Sequence, residues 1–143
     1  MRYNQYGRTG LLVSELALGA MSFGGVGFWQ VIGNVDQTGV DAIVSRALDA
    51  GVNFFDTANI YSNGEAERLL GAALGARRKD TVIATKVSGK MGIGPNDSGL
   101  SRDHAMRAVD ESLLRLGTDY IDVYQIHGFD RHHPAGRDAP DPR

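Results

Sequence analysis

A repeating unit, in which a short apolar segment is followed by a longer helix-like segment, constrains the fold of this 143-residue chain most strongly. The apolar segments end at residues 19, 56, 86 and 127, so the unit returns every 30 to 41 residues. Strands that alternate with helices pair in parallel and are joined by right-handed crossovers. The spacing therefore predicts an α/β protein, built either as part of a (β/α)8 barrel or as a doubly wound sheet. Four such strands are half of the set that a complete barrel needs.

Local signals divide the chain into predicted elements. Residues 2–13 predict a β-hairpin, because two short strands flank the turn sequence Gly7-Arg8-Thr9-Gly10. Four further strands are predicted at residues 15–19, 52–56, 81–86 and 120–127. The helices predicted between them start at polar N-caps and end at glycines, paired as Thr38 with Gly51, Asn63 with Gly75, and Ser101 with Gly117.

Composition argues against several classes of protein. The chain has no cysteine, so disulfides and thiolate chemistry are excluded. A formal net charge of −2 gives no basic surface for nucleic acid, and no apolar run approaches the ~18 residues of a membrane span. The first residues have no apolar core of a secretion signal. We therefore expect a cytoplasmic protein without nucleic-acid or membrane partners.

The last segment, residues 131–143, differs from the rest of the chain. It contains no Val, Ile, Leu, Met or aromatic residue and carries three of the four prolines. Such a segment buries too little apolar surface to offset the entropy of ordering it. We predict a disordered tail. The His132-His133 pair near Asp138 does not change this prediction, and no metal site is predicted anywhere in the chain.

Ionisable residues stand at the ends of three predicted strands. Asp56, Lys86 and His127 each close an apolar segment, and Tyr61 follows Asp56 on the loop that leaves its strand. In parallel α/β folds, ligands bind beyond the carboxyl ends of the strands. Because alternate residues share one face of a strand, all three strand-end side chains can point into one barrel mouth.

These four residue types form a coherent set for carbonyl reduction. A carbonyl that accepts a hydride needs a proton donor in place, and a phenol beside a cation is a good donor. Lys86 is the candidate cation and Asp56 its ion-pair partner, and His127 either orients the carbonyl or assists proton transfer. Taken singly, each residue has a structural alternative as a turn, packing, solvated or buried polar residue. Their recurrence at corresponding ends of consecutive units favours a site.

The glycine-rich loop at residues 20–37 is a weaker candidate for function. Its segment at 24–30 departs from G-x-G-x-x-G because Gln30 replaces the last glycine, and no helix follows at once. A substrate loop or a plain connector is favoured over a nucleotide loop. Phe28 and Trp29 either line an apolar pocket or anchor this loop.

Three segments resemble one enzyme family. GVNFFDTA at residues 51–58, followed by Tyr61 and by ERLLG at 67–71, resembles the first signature of the aldo-keto reductases. SLLRLGTDYIDVYQIH at 112–127 is similar to the passage from the third helix to the fourth strand of that family. RTGLLVS at 8–14 is similar to its N-terminal hairpin.

The resemblance implies a fold and an activity. The family is a (β/α)8 TIM barrel of NADPH-dependent, sometimes NADH-dependent, reductases that convert aldehydes and ketones to alcohols. Residues 1–130 then form the N-terminal half of that barrel, a β-hairpin and four parallel strands with three helices, followed by a non-family tail. The implied catalytic residues are Asp56, Tyr61, Lys86 and His127, with Tyr61 as the general acid. The implied cofactor-binding residues are Gly19, Ala20, Met21 and Asp56.

The resemblance stops near residue 130, where the family continues into the segments that hold the adenosine phosphates of the cofactor. The chain is therefore predicted to be truncated, and its open strand edges favour self-association. The alternative function is an inactive remnant or a non-catalytic assembly partner, because the family also includes channel-associated regulatory subunits. His127 beside Tyr61 favours an enzyme that acts on a small carbonyl substrate.

Overall fold

The structure is a computed structural model that describes residues 1–130. Within this range the strands are β1 Tyr3–Gln5, β2 Leu12–Ser14, β3 Ala17–Gly19, β4 Phe54–Asp56, β5 Val82–Val87 and β6 Val123–Ile126. The α-helices are α1 Gln37–Asp49, α2 Glu65–Leu74 and α3 Arg102–Leu116. No helix in this part of the chain is long and apolar enough to cross a membrane. The predicted disordered tail lies outside the described residues.

The sheet topology confirms the prediction of a hairpin followed by four parallel strands with three helices. Strands β1 and β2 pair antiparallel, and the other four form a parallel sheet in the order β3-β4-β5-β6. A doubly wound sheet would reverse its strand order at a switch point, whereas this order follows the sequence throughout. One helix lies in each crossover. The described residues thus form a partial (β/α) barrel.

Two of the three predicted helix caps are wrong. Helix α1 is capped by Asp36, whose Oδ1 accepts a hydrogen bond from the Gly39 N–H at 2.9 Å, so the helix starts before Thr38. Asn63 has a φ of +55° and lies in the 3₁₀ turn before α2, whose N-cap is Gly64 with a φ of +92°. At α1 the Asp36 side chain accepts the capping hydrogen bond in place of Thr38. At α2 the N-cap position has a left-handed backbone, which suits Gly64.

The third helix starts as predicted. The Ser101 Oγ accepts a hydrogen bond from the His104 N–H at 3.2 Å, and Gly117 ends the helix with a φ of +63°. Its buried face consists of His104, Ala108, Ser112 and Leu116, so it includes two polar residues.

The core lies between the parallel sheet and the first two helices. Its fully buried large side chains include Phe23, Val40, Val44, Phe55, Leu70 and Ile83. Helix α2 also approaches α3 closely, because a Cβ at Gly71 would overlap the backbone carbonyl of Leu116. Only glycine permits this approach, which brings both helices onto the back of β5.

A buried ion pair lies at the amino-terminal end of the sheet. The Arg78 Nη2 lies 2.7 Å from Asp122 Oδ2, and the same carboxylate accepts a hydrogen bond from the Ile83 N–H at 2.9 Å. This pair ties the start of β5 to the segment before β6. It lies at the opposite end of the strands from the polar residues that the sequence singles out.

Candidate active site

The predicted strand-end residues Asp56 and Lys86 form an ion pair. The Lys86 Nζ donates hydrogen bonds to Asp56 Oδ1 at 2.6 Å and to the Thr57 carbonyl at 2.8 Å. Asp56 pairs in register with Ala84, and Lys86 lies two residues further along the same face of β5. The side chains are 14% exposed for Lys86 and 34% for Asp56, so the lysine charge is held in a largely enclosed position.

Tyr61 lies beside this ion pair. It begins the 3₁₀ turn that follows β4, and its side chain is almost entirely buried, at 9% exposed. The Lys86 Nζ is 5.3 Å from the centroid of the Tyr61 ring. Among residues 1–130, no group forms a hydrogen bond with the Tyr61 hydroxyl. A phenol is thus available for proton transfer next to a fixed cation.

The turn that carries Tyr61 has an unusual backbone. Ser62 and Asn63 have φ values of +48° and +55°, which side chains other than glycine rarely adopt. The Ser62 hydroxyl offsets this cost, because it donates to the Phe23 carbonyl at 2.8 Å and accepts from the Gly25 N–H at 2.9 Å. This hydroxyl joins the loop after β3 to the turn that positions Tyr61.

His127 completes the group of four. It directly follows β6, where its N–H donates to the Val87 carbonyl at 2.8 Å. Its ring lies 5.4 Å from the Tyr61 ring, centroid to centroid, at an interplanar angle of 85°. The structure therefore brings all four predicted side chains together at the carboxyl ends of β4, β5 and β6.

The three other predicted cofactor-binding residues lie at the end of β3 and at the start of the loop that follows it. Gly19 pairs with Asp56 across the sheet, and the Ala20 N–H donates to the Asp56 carbonyl at 2.8 Å. Ala20 is buried and its carbonyl accepts a hydrogen bond from Phe23, whereas Met21 is 47% exposed. Gly19 is thus the exposed member of this set that lies beside Asp56, and Met21 is exposed two residues further on.

Of the two roles that the sequence allows Trp29, a pocket wall or a loop anchor, the structure favours the first, because it places Trp29 against Tyr61. Its ring packs edge-on against Tyr61 with 5.6 Å between centroids, and against the exposed ring of Phe28 at 6.3 Å. The loop after β3 therefore supplies an aromatic wall next to the Tyr61 side chain.

Sequence reasoning missed a fully buried charge behind the site. Glu67 Oε1 accepts a hydrogen bond from the Thr85 hydroxyl at 2.6 Å, and Glu67 Oε2 lies 2.7 Å from Arg115 Nε. Glu67 shares a helix face with Leu70 and Leu74, and a charged residue within an apolar face was the signal available in the sequence. Burial, followed by the Glu67 charge, raises the pKa of Tyr124 to about 12.

The electrostatics of the site predict how His127 titrates. Partial burial and then the positive charge of Lys86 hold the pKa of His127 below its ordinary value, while Asp56 opposes this. We expect the imidazole to be neutral near neutral pH and to titrate below the midpoint of a histidine peptide in an NMR experiment. Because its folded-state pKa is the lower one, the stability it contributes is present above the unfolded-state pKa. That contribution is lost as the pH falls toward the folded-state value.

The variant Lys86→Met isolates the contribution of the Lys86 charge to this shift. It removes the cation and frees the Asp56 carboxylate, and both changes raise the pKa of His127. Lys79→Met, on the turn before β5, is the matched control and should leave the titration unchanged. An unchanged midpoint in Lys86→Met would show that Lys86 does not lie beside the imidazole in solution.

Comparison with known proteins identifies relatives over most of the chain. The family model described as the aldo/keto reductase family matches residues 15–139. The match extends beyond residue 130, so part of the predicted tail also resembles the family. A probable voltage-gated potassium channel subunit beta of Oryza sativa is 45% identical over 89% of this chain and 37% of its own length. An aldo-keto reductase of Alternaria alternata is 39% identical over 92% of this chain and 42% of its own length.

A solved structure supports the same assignment. The aldo-keto reductase of Bacillus halodurans in its holo form is 38% identical to this chain with a TM-score of 0.77. The alignment covers 94% of this chain and 42% of the other. The chain thus spans well under half the length of the relatives that it matches. On the family match, the sequence identities and the shared fold, this chain belongs to the aldo/keto reductase family.

Proposed function

We propose that this chain carries the proton-donating half of an NAD(P)H-dependent oxidoreductase that reduces aldehydes and ketones to alcohols, with Tyr61 as the general acid. The observation that carries the proposal is the placement of the Tyr61 ring 5.3 Å from Lys86 Nζ, which itself lies 2.6 Å from Asp56. This arrangement supplies a phenolic proton next to a fixed positive charge. Family membership and relatives named as oxidoreductases support it.

Each side chain then has a defined part in the reaction. The reduced nicotinamide supplies the hydride when it is bound. Tyr61 donates its hydroxyl proton to the carbonyl oxygen as negative charge develops there. Lys86 stabilises the phenolate that remains, and Asp56 fixes the ammonium group in position. His127, which is neutral near neutral pH, orients the carbonyl oxygen toward Tyr61.

The described residues fit the nicotinamide end of such a cofactor. Gly19 presents an open edge next to Asp56, where a planar ring can lie against backbone, and the exposed Met21 follows two residues further on. We propose NADPH as the cofactor, with NADH as the alternative. The aromatic wall of Trp29 and Phe28 favours small carbonyl substrates with an apolar or aromatic substituent.

A direct assay tests this proposal. The chain is mixed with NADPH and an aromatic aldehyde, and the loss of the reduced-nicotinamide absorbance is followed together with quenching of Trp29 fluorescence. We expect both quenching and aldehyde-dependent oxidation of NADPH. The absence of quenching at millimolar cofactor would overturn the proposal for this chain.

The second candidate function is that of a non-catalytic assembly partner. Within residues 1–130, β3 and β6 each pair on one side only, and Tyr124 and Ile126 on β6 are exposed. Relatives named as potassium channel subunits beta give this alternative a precedent. Light scattering on the same samples separates the two, since a concentration-dependent oligomer without NADPH oxidation favours assembly through the open strand edges.

A further inference from the structure

Two adjacent residues of β5 face opposite sides of the sheet. Lys86 points to the candidate active site, and Thr85, which is fully buried, points to the helices behind it. The Thr85 hydroxyl donates to Glu67 Oε1 at 2.6 Å. The helices behind the sheet thus hold β5 at Thr85, the residue next to Lys86.

The same carboxylate is linked through Arg115 to the turn that carries Tyr61. Glu67 lies in the first turn of α2, which starts directly after the Tyr61–Gly64 turn. Its second oxygen binds Arg115, and the Arg115 Cδ lies 2.6 Å from where a Cβ of Gly64 would be. The arginine therefore packs on the backbone three residues from Tyr61.

A charged group suits this position better than a neutral one. Glu67 accepts one hydrogen bond from a hydroxyl and one from a guanidinium, and hydrogen bonds that involve an ionised group are shorter and stronger. The amino-terminal end of α2 also favours a negative charge. In some proteins such a buried ion pair fixes its partners in one arrangement.

We propose that Glu67 is a positioning residue of the reductase reaction, which through Thr85 and Arg115 fixes Lys86 relative to Tyr61. This inference rests on the proposed function for its effect on turnover. Its effect on the geometry of the site is independent of turnover.

The test uses Thr85→Val and Thr85→Ser in the full chain. Valine has nearly the same shape but cannot donate to Glu67, whereas serine keeps the hydroxyl. Asp122→Asn is the control, because it breaks a buried pair at the opposite end of the same strand. The two readouts are the NMR titration of His127, which reports the position of the Lys86 charge, and the separate values of kcat and KM.

We expect Thr85→Val to raise the titration midpoint of His127 toward its ordinary value. We expect it also to lower kcat by about tenfold to a hundredfold with KM unchanged, the effect of a displaced catalytic group. Thr85→Ser should restore both quantities, and Asp122→Asn should move neither of them.

Two results would overturn the inference: wild-type values of both quantities in Thr85→Val, or an equal change in Asp122→Asn. Failure of the proposed function looks different. If the wild-type chain reduces no carbonyl while Thr85→Val alone moves the His127 titration, Glu67 still fixes the position of Lys86 and the reductase proposal falls.

Discussion

Replacing Tyr61 with phenylalanine is expected to lower carbonyl reduction by about a hundredfold to ten-thousandfold, the usual contribution of a general acid. The substitution removes one hydroxyl that has no hydrogen-bond partner among residues 1–130, while the ring keeps its contacts with Trp29 and His127. The fold and the binding of NADPH should therefore survive. The measurement is kcat for an aromatic aldehyde, with cofactor affinity from fluorescence quenching.

Tyr3→Phe is the matched control for this variant. The Tyr3 hydroxyl donates to the Gly51 carbonyl at 2.8 Å, far from the candidate site, so its loss should leave kcat unchanged. If Tyr61→Phe retained wild-type turnover, the proton would have to come from another group, and His127 would be the next candidate.

Glu67→Ala is expected to lower the free energy of unfolding by about 3 kcal/mol, the lower part of the range for breaking a buried ion pair. The variant leaves Arg115 without its fully buried partner and leaves the Thr85 hydroxyl unpaired. Glu111, 3.5 Å from Arg115, limits the loss because it remains as a more exposed partner. Urea denaturation followed by circular dichroism measures the change.

Two further measurements sharpen the stability prediction. Glu15→Ala removes a partner of Arg2 at the surface, where a pair contributes about 0–1 kcal/mol, so it should have little effect. The loss of the Glu67 charge should also lower the pKa of Tyr124 from about 12, which ultraviolet titration of the tyrosines detects. Equal losses of stability in Glu15→Ala and Glu67→Ala would contradict the prediction.

The sequence predicts the features of the fold that depend on the spacing of apolar residues and on the order of strands and helices along the chain. Strands of alternating side chains that end in Asp56, Lys86 and His127 must meet at one edge of a parallel sheet, and they do. The Asp56–Lys86 contact follows from that register alone. The predictions of Thr38 and Asn63 as helix caps were wrong, because neighbouring residues compete to cap the same helix and the sequence does not show which of them does.

Other features depend on contacts between distant segments. The positive φ values of Ser62 and Asn63 persist because Ser62 binds the backbone of the loop after β3, which no local pattern indicates. The contact of Glu67 with Thr85 and Arg115 requires two crossovers to bring α2 and α3 onto one strand. Such contacts can be found only once the fold is known.

The loop after β3 is closed at its base, and Trp29 in its tip packs against the turn that carries Tyr61. Phe23 pairs with Val35, and the Gly24 N–H donates to the Val35 carbonyl at 2.9 Å, while Ser62 holds the same stretch to the Tyr61 turn. Exchanging residues 26–32 would therefore leave the closed base in place, but it would remove the aromatic contact with Tyr61 unless Trp29 is kept. A longer loop on a closed base adds little entropic cost, so insertions beside a retained Trp29 would change the surface next to Tyr61 without opening the base.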